Sequence, residues 1–214
     1  SINLEAFEPM VIAAKNAGIK RFIYASSSSV YGLSDQKEVK EDHPLVPLTL
    51  YNKYKGMCEP ILLKHTNDSF EGVIFRPATV CGFAPKLRLD LSVNILTNHA
   101  VNKNQITVFG GEQLRPNLHI QDYCDLVELL ISVDSNKIKN QIFNVGYQDL
   151  SINQIAQIVK NVVQKEFTEN YNNSVKMNIP LFSGIENLNA EEIIKAYNEG
   201  LVGFSAYIDD DNEV

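Results

Sequence analysis

Tyr51 and Lys55, in the run YNKYK, stand four residues apart. On a helix, both side chains leave the same face about one turn from each other. That spacing has a chemical use. A tyrosine phenol of pKa ~10 is a poor base at neutral pH, but a neighbouring ammonium favours the phenolate. A phenolate so placed could take a proton from a substrate hydroxyl. Tyrosine and lysine at this spacing also occur on helices with no chemistry, so the pair needs company. The row Ser26 to Ser29, in RFIYASSSSVYG, offers it. A hydroxyl there, facing Tyr51, could hydrogen-bond the same substrate oxygen; the bland alternative is a serine-rich turn satisfying its own backbone. A nucleophilic serine is disfavoured, because no G-x-S-x-G elbow surrounds these residues.

The elements that must position these groups are legible upstream and downstream. Leu4, Phe7, Val11, Ala14 and Ala17 recur at helical spacing, and Gly18 suits the left-handed stop. A strand from Phe22 to Ser26 follows, then a polar loop, then a helix over Leu50–His65 that Pro60 is expected to kink or end. Gly72 to Phe75 is a short apolar strand closed by Pro77. Alternating helices and strands, with strands apolar on both faces, imply a parallel sheet covered by helices. Ligands bind such sheets beyond the carboxyl ends of their strands, where the serines fall.

The second half reads as a helix over Leu91–Val101, a strand over Ile106–Phe109 ending in Gly110-Gly111, and the extended RPNLHI. Asp122 is expected to cap a helix reaching Val133, with QIFNVG a further strand. Ser151 and Gln154 form a capping box ahead of another helix, and Asn189 with Glu192 repeats that pattern. The acidic tail YIDDDNEV reads as solvated.

Composition narrows the classes. With 44% hydrophobic residues in 214, the chain can build a real core. No apolar run reaches the ~18 residues a membrane helix needs, and no secretion signal opens the chain. A net charge of −7 without clustered Lys and Arg argues against nucleic acid as a partner. Cys58, Cys81 and Cys124 are odd in number, widely spaced and set among apolar neighbours. They read as free buried thiols of a cytoplasmic protein, with neither disulfide nor metal site.

Four motifs in register, YASSSSVYG, Tyr51-x-x-x-Lys55, FRPATVCG and GGEQLRPNLHIQD, together resemble the extended short-chain dehydrogenase/reductase family, closest to its nucleotide-sugar epimerases and dehydratases. The resemblance implies a Rossmann-like α/β fold, a doubly wound parallel sheet with a smaller mixed α/β C-terminal substrate-binding region, and NAD as cofactor. It makes Ser27 the catalytic hydroxyl, Tyr51 the general base, and Lys55 the residue that holds the nicotinamide ribose and keeps Tyr51 ionised. Pro77 and Ala78 fall at cofactor-binding positions. Ser27, Ser28, Thr79, Arg88 and Arg115 fall at positions for the sugar nucleotide, Arg115 on its phosphates; for Arg88 an ordinary surface arginine is the competing reading. His119 and Asp122 complete an R-x-x-x-H-x-x-D signature, with structural roles expected. Sugar 4,6-dehydratases of the family carry an Asp-Glu pair after the catalytic residue. Here Ser28 and Ser29 stand there, and neither is an acid or base at neutral pH. The resemblance therefore favours a cytoplasmic 4-epimerase supplying polysaccharide precursors. A dehydratase or 4-keto-sugar reductase of the same fold, a non-catalytic nucleotide-binding protein, or a fragment inactive in isolation are the rivals.

The family's glycine-rich phosphate turn occurs nowhere in the chain. The resemblance thus implies an N-terminally truncated piece, lacking the first βα units and unable by itself to hold NAD. Residues 1–82 would be the rest of the NAD-binding domain, 83–180 the substrate-binding region with some segments returning to the sheet, and 181–214 a divergent tail. Relatives dimerise through a four-helix bundle, which would place Leu4–Ala17 and Leu50–His65 at a homodimer interface.

Overall fold

The computed structural model describes residues 2–34, 36, 38–170 and 181–182. The second capping box, Asn189 with Glu192, and the acidic tail lie outside the described residues. Two units divide the chain, and each has its own sheet. The first takes Ser1–Ala78 and Gln121–Tyr147; the second takes Thr79–Ile120 and the described residues from Gln148 onward.

In the first unit, α1 (Ile2–Glu5) and α2 (Phe7–Asn16) cover the helix expected and join at Ala6, whose backbone stays helical. Gly18 closes α2 at φ +79, as its residue type foretells. Strand β1 (Arg21–Ala25) leads into a 3₁₀ turn, Ser28–Tyr31. Helix α3 (Leu50–Lys64) is capped by Thr49, whose hydroxyl accepts the Asn52 N–H. Of the two outcomes expected at Pro60, ending the helix does not occur: α3 continues through it to Lys64. The turn forgoes one hydrogen bond there, because proline has no N–H to give the Gly56 carbonyl.

Strand β2 (Glu71–Pro77) is buried along almost its whole length. It pairs in parallel with β1, from Arg21 with Glu71 to Ala25 with Phe75. It also pairs in parallel with β6 (Ile142–Val145), so the order is β1-β2-β6. Burial on both faces explains the unbroken apolar run VIF. One face packs Phe22, Tyr24 and Ile74 against Phe7 and Val11 of α2 and Cys58 and Leu62 of α3. The other packs Ile23, Val73, Phe75 and Phe143 against Leu126 and Leu130 of α5 (Ile120–Ser132) and Ile138 of α6 (Ser135–Ile138). Asp122 lies inside the first turn of α5 and is not its cap, because the helix already begins at Ile120. There its charge still favours the helix N-terminus. Arg21 fastens α5 to the sheet by donating to the carbonyls of Leu130, Ile131 and Val133 at 2.6, 3.0 and 2.8 Å.

In the second unit, β3 (Thr79–Cys81) pairs in parallel with β5 (Leu114–His119), which pairs antiparallel with β7 (Gln148–Ser151). Helices α4 (Ser92–Lys103) and α7 (Ile152–Asn170) enclose a small core of Leu96, Ala100, Ile106, Val108, Ile155 and Val159. Strand β4 is only Ile106–Thr107, shorter than expected, and pairs with β8 (Leu181–Phe182). The Ser151–Gln154 capping box forms as its residues predict. The Ser151 N–H donates to Gln154 Oε1 at 2.8 Å, and the Gln154 N–H to Ser151 Oγ at 3.2 Å.

Candidate active site

Strand β1 ends at the carboxyl edge of its sheet, and the chain turns there because Ser27 caps the 3₁₀ turn with its own side chain. Its Oγ accepts the Ser29 N–H at 3.2 Å and lies 2.6 Å from Ser29 Oγ. Ser29 in turn donates to Asn52 Oδ1 at 2.7 Å. A hydroxyl has one proton. With that of Ser29 on Asn52, the proton between the two serines belongs to Ser27. The serine row is therefore more than a self-satisfied turn: it is hydrogen-bonded to the residue directly after Tyr51.

Helix α3 presents Tyr51 and Lys55 on one face, as their spacing requires. Tyr51 is 55% exposed. The Lys55 ammonium donates to the Ala25 carbonyl at 2.9 Å and stands 5.2 Å from the centre of the Tyr24 ring and 5.8 Å from that of Tyr51. Burial pulls Lys55 below the ordinary lysine range, against an opposing pull from Cys58. Burial first, and Cys58 second, push the Tyr24 phenol well above the ordinary range. Tyr24 accordingly serves as a protonated donor, giving its hydrogen to the Lys55 carbonyl at 3.2 Å. Phe7, Phe22, Tyr24, Tyr51, Tyr54 and Lys55 border a cavity of about 410 Å³.

The remaining candidates divide between the units. In the first, Ser28 opens the 3₁₀ turn, Pro77 ends β2, and Ala78 follows it, its N–H donating to the Val145 carbonyl at 2.7 Å. In the second, Thr79 pairs with Asn117 and Cys81 with His119. Strand alternation then puts Thr79, Arg115, Asn117 and His119 on one face. His119 lies against Gly82, whose φ is +109 and where a Cβ would come 2.8 Å from the ring nitrogen Nε2. Arg88 is exposed and paired with Asp90, its Nε donating to Oδ1 at 3.1 Å. The three cysteines are thiols outside any disulfide, as expected, but only Cys58 is buried; Cys81 is half-buried and Cys124 is exposed on α5.

Sequence reasoning passed over Asn52 and a buried polar cluster at the carboxyl end of β2. Arg76 and Glu59, each with 3% of its side chain exposed, form a two-pronged ion pair of 3.0 and 2.6 Å. The signal was there: Arg76 is the only charge in VIFRP, and Glu59 the only one in GMCEPILL.

A match to the model of the NAD dependent epimerase/dehydratase family spans residues 1–146. The chain belongs to this family. It is similar to the UDP-glucose 4-epimerase of Lactobacillus helveticus, 25% identical over 75% of this chain and 54% of the relative. It is also similar to the dTDP-D-glucose 4,6-dehydratase of Mus musculus, 27% identical over 79% of this chain and 48% of the relative. Among solved structures, the UDP-glucuronic acid 4-epimerase of Bacillus cereus in complex with NAD superimposes with a TM-score of 0.66 at 26% identity, covering 84% of this chain and 56% of that one. The chain spans about half the length of the curated relatives it matches.

Proposed function

We propose that this chain carries the proton-transfer site of an NAD-dependent epimerase that acts on a nucleotide-activated sugar by transient oxidation at C4. The observation that carries the reading is the hydrogen-bond chain Ser27–Ser29–Asn52, which joins the serine turn to the helix bearing Tyr51 and Lys55. Tyr51 takes the proton of the sugar 4-hydroxyl, and Ser27, its hydroxyl rotating from Ser29 to the substrate, donates to the same oxygen. Lys55, held by the Ala25 carbonyl, places its positive charge beside the Tyr51 ring.

The residues present fit the nicotinamide end of NAD. Ser26 supports this: its Oγ is buried at the strand's carboxyl end and has no hydrogen-bond partner among the described residues. Tyr51, Lys55, Pro77 and Ala78 would hold that end. The chemistry supplied by bound NAD is reversible hydride acceptance at C4, from one face of the sugar and back to the other. Ser28, Thr79, Arg88 and Arg115 are assigned to the sugar nucleotide, the arginines to its phosphates. Residues 1–82 are assigned to the cofactor side and 83–180 to the substrate side. Exposed Met10 and Ile12 on α2, with Leu50 and Met57 on α3, favour a homodimer through these helices.

The second reading, a 4,6-dehydratase, is favoured by the similarity to the mouse enzyme. Against it, Ser28 and Ser29 occupy the positions where an elimination needs an acid and a base. Incubating the gene's complete product with UDP-sugars separates the two. C4 inversion seen by proton NMR, without net NADH, supports epimerisation; a 4-keto-6-deoxy sugar overturns it. Tyr51→Phe must abolish turnover, and retained turnover would remove Tyr51 from the chemistry.

A further inference from the structure

Arg76 sits at the carboxyl end of β2, on the face that meets α3, and its guanidinium reaches four acceptors in three separate segments. Nε and Nη2 grip the two carboxylate oxygens of Glu59, one helical turn beyond Lys55 on the same face of α3. Nη1 donates to Tyr31 Oη at 2.5 Å and to the Glu41 carbonyl at 2.9 Å. Tyr31 ends the turn that Ser27 begins, and it passes its own proton to Asn144 Oδ1 on β6 at 2.6 Å. Asn144 completes the cluster. Its N–H donates to Glu41 Oε1 at 2.7 Å and its Nδ2 to the Val39 carbonyl at 2.9 Å. The Arg76 guanidinium also lies over the Tyr31 ring, 4.8 Å from its centre.

A buried ion pair is a weak device for stability, since removing both ions from water offsets most of their attraction. A planar fork is a strong device for geometry, because two parallel hydrogen bonds fix the direction of the group they hold. Here the fork ends on the Tyr51–Lys55 helix, and the remaining nitrogen ends on the Ser27 turn and on the loop that enters α3. Tyr31 lies four residues after Ser27, and Glu59 four after Lys55. One side chain thus touches both halves of the proton-transfer site from behind, without reaching the reacting atoms.

We infer that Arg76 is a positioning residue: through Glu59 and Tyr31 it sets the distance between the Ser27 hydroxyl and the Tyr51 phenol. This inference rests on the epimerase reading. It gives a lone arginine in an apolar strand a catalytic consequence.

The test uses the gene's complete product and the paired variant E59M/R76M. This variant leaves no orphaned charge, and replacement of such pairs by apolar residues is tolerated in other proteins. Expected is a fall in kcat of ~10²-fold, the scale of an ångström misplacement, with KM for the nucleotide sugar within about 3-fold. Tyr31→Phe, which cuts only the turn's tether, should lower kcat by ~10-fold at unchanged KM, and it decides the matter should the paired variant not fold. Parental kcat in the folded paired variant, or in Tyr31→Phe if only that one folds, overturns the inference; so does a loss confined to KM. Tyr51→Phe is run beside them. An active Tyr51→Phe defeats the epimerase reading itself, whereas an inactive one with unimpaired Arg76-cluster variants defeats the positioning role alone.

Discussion

Ser29 donates a 2.7 Å hydrogen bond to Asn52, and this bond couples the end of a sheet strand to the first turn of the helix beside it. It settles which way the neighbouring Ser27 hydroxyl points, because Ser29 can then only accept the Ser27 proton.

Asn52→Leu removes the acceptor and frees both serines to rotate. We expect kcat to fall ~10-fold and stability by about 1 kcal/mol, the usual net worth of a hydrogen bond. Asn52→Asp keeps an acceptor at the same place and should retain most of the activity. Steady-state kinetics on both variants give the answer, and equal losses would refute the coupling.

Lys55→Met deletes the ammonium that lies 5.8 Å from the Tyr51 ring centre and bonds the Ala25 carbonyl. The expected loss in kcat/KM is ~10²–10⁴-fold, the range of general acid–base assistance. A loss under about 3-fold would leave Tyr51 acting without it.

Alkaline pH should unfold the protein early. Burial raises the pKa of Cys58, Tyr24, Tyr31 and Tyr123, so each binds its proton more tightly folded than unfolded. Stability from such groups is complete below their ordinary values, ~8.5 for the thiol and ~10 for the phenols, and is lost as pH rises toward the folded values. Lys55 is shifted down and works in the opposite sense, one group against four. The melting temperature should therefore decline above pH ~8.5, and Cys58→Ala should remove the earliest part of that decline. A Cys58→Ala curve parallel to the parental one from neutral pH upward would contradict this.

Gly32 ends the serine turn at φ +72, and a Cβ there would come 1.9 Å from the Val46 carbonyl oxygen. Gly32→Ala combines backbone strain of ~1–3 kcal/mol with that overlap. Gly18→Ala has a similar φ of +79 with nothing within 4 Å, so it measures the strain alone. Urea unfolding should rank Gly32→Ala clearly below Gly18→Ala, and equal midpoints would show that the loop around Val46 gives way without cost.

Much of the site was legible in the residues themselves. Periodicity is a local property, so the parallel strands, the Tyr51–Lys55 face and the Ser151–Gln154 capping box could all be read before any coordinates. The start of α5 at Ile120 and the short β4 could not be read this way. The same is true of the Arg76 cluster. Its members lie at residues 31, 41, 59, 76 and 144. No spacing rule links positions so far apart; only the parallel register of Arg76 with Asn144, and the seating of α3 over that strand end, bring them together. The amino-acid sequence by itself determined which side chains could move a proton. The tertiary structure decided which of them share hydrogen bonds, because a buried charge must find its partners wherever the fold places them.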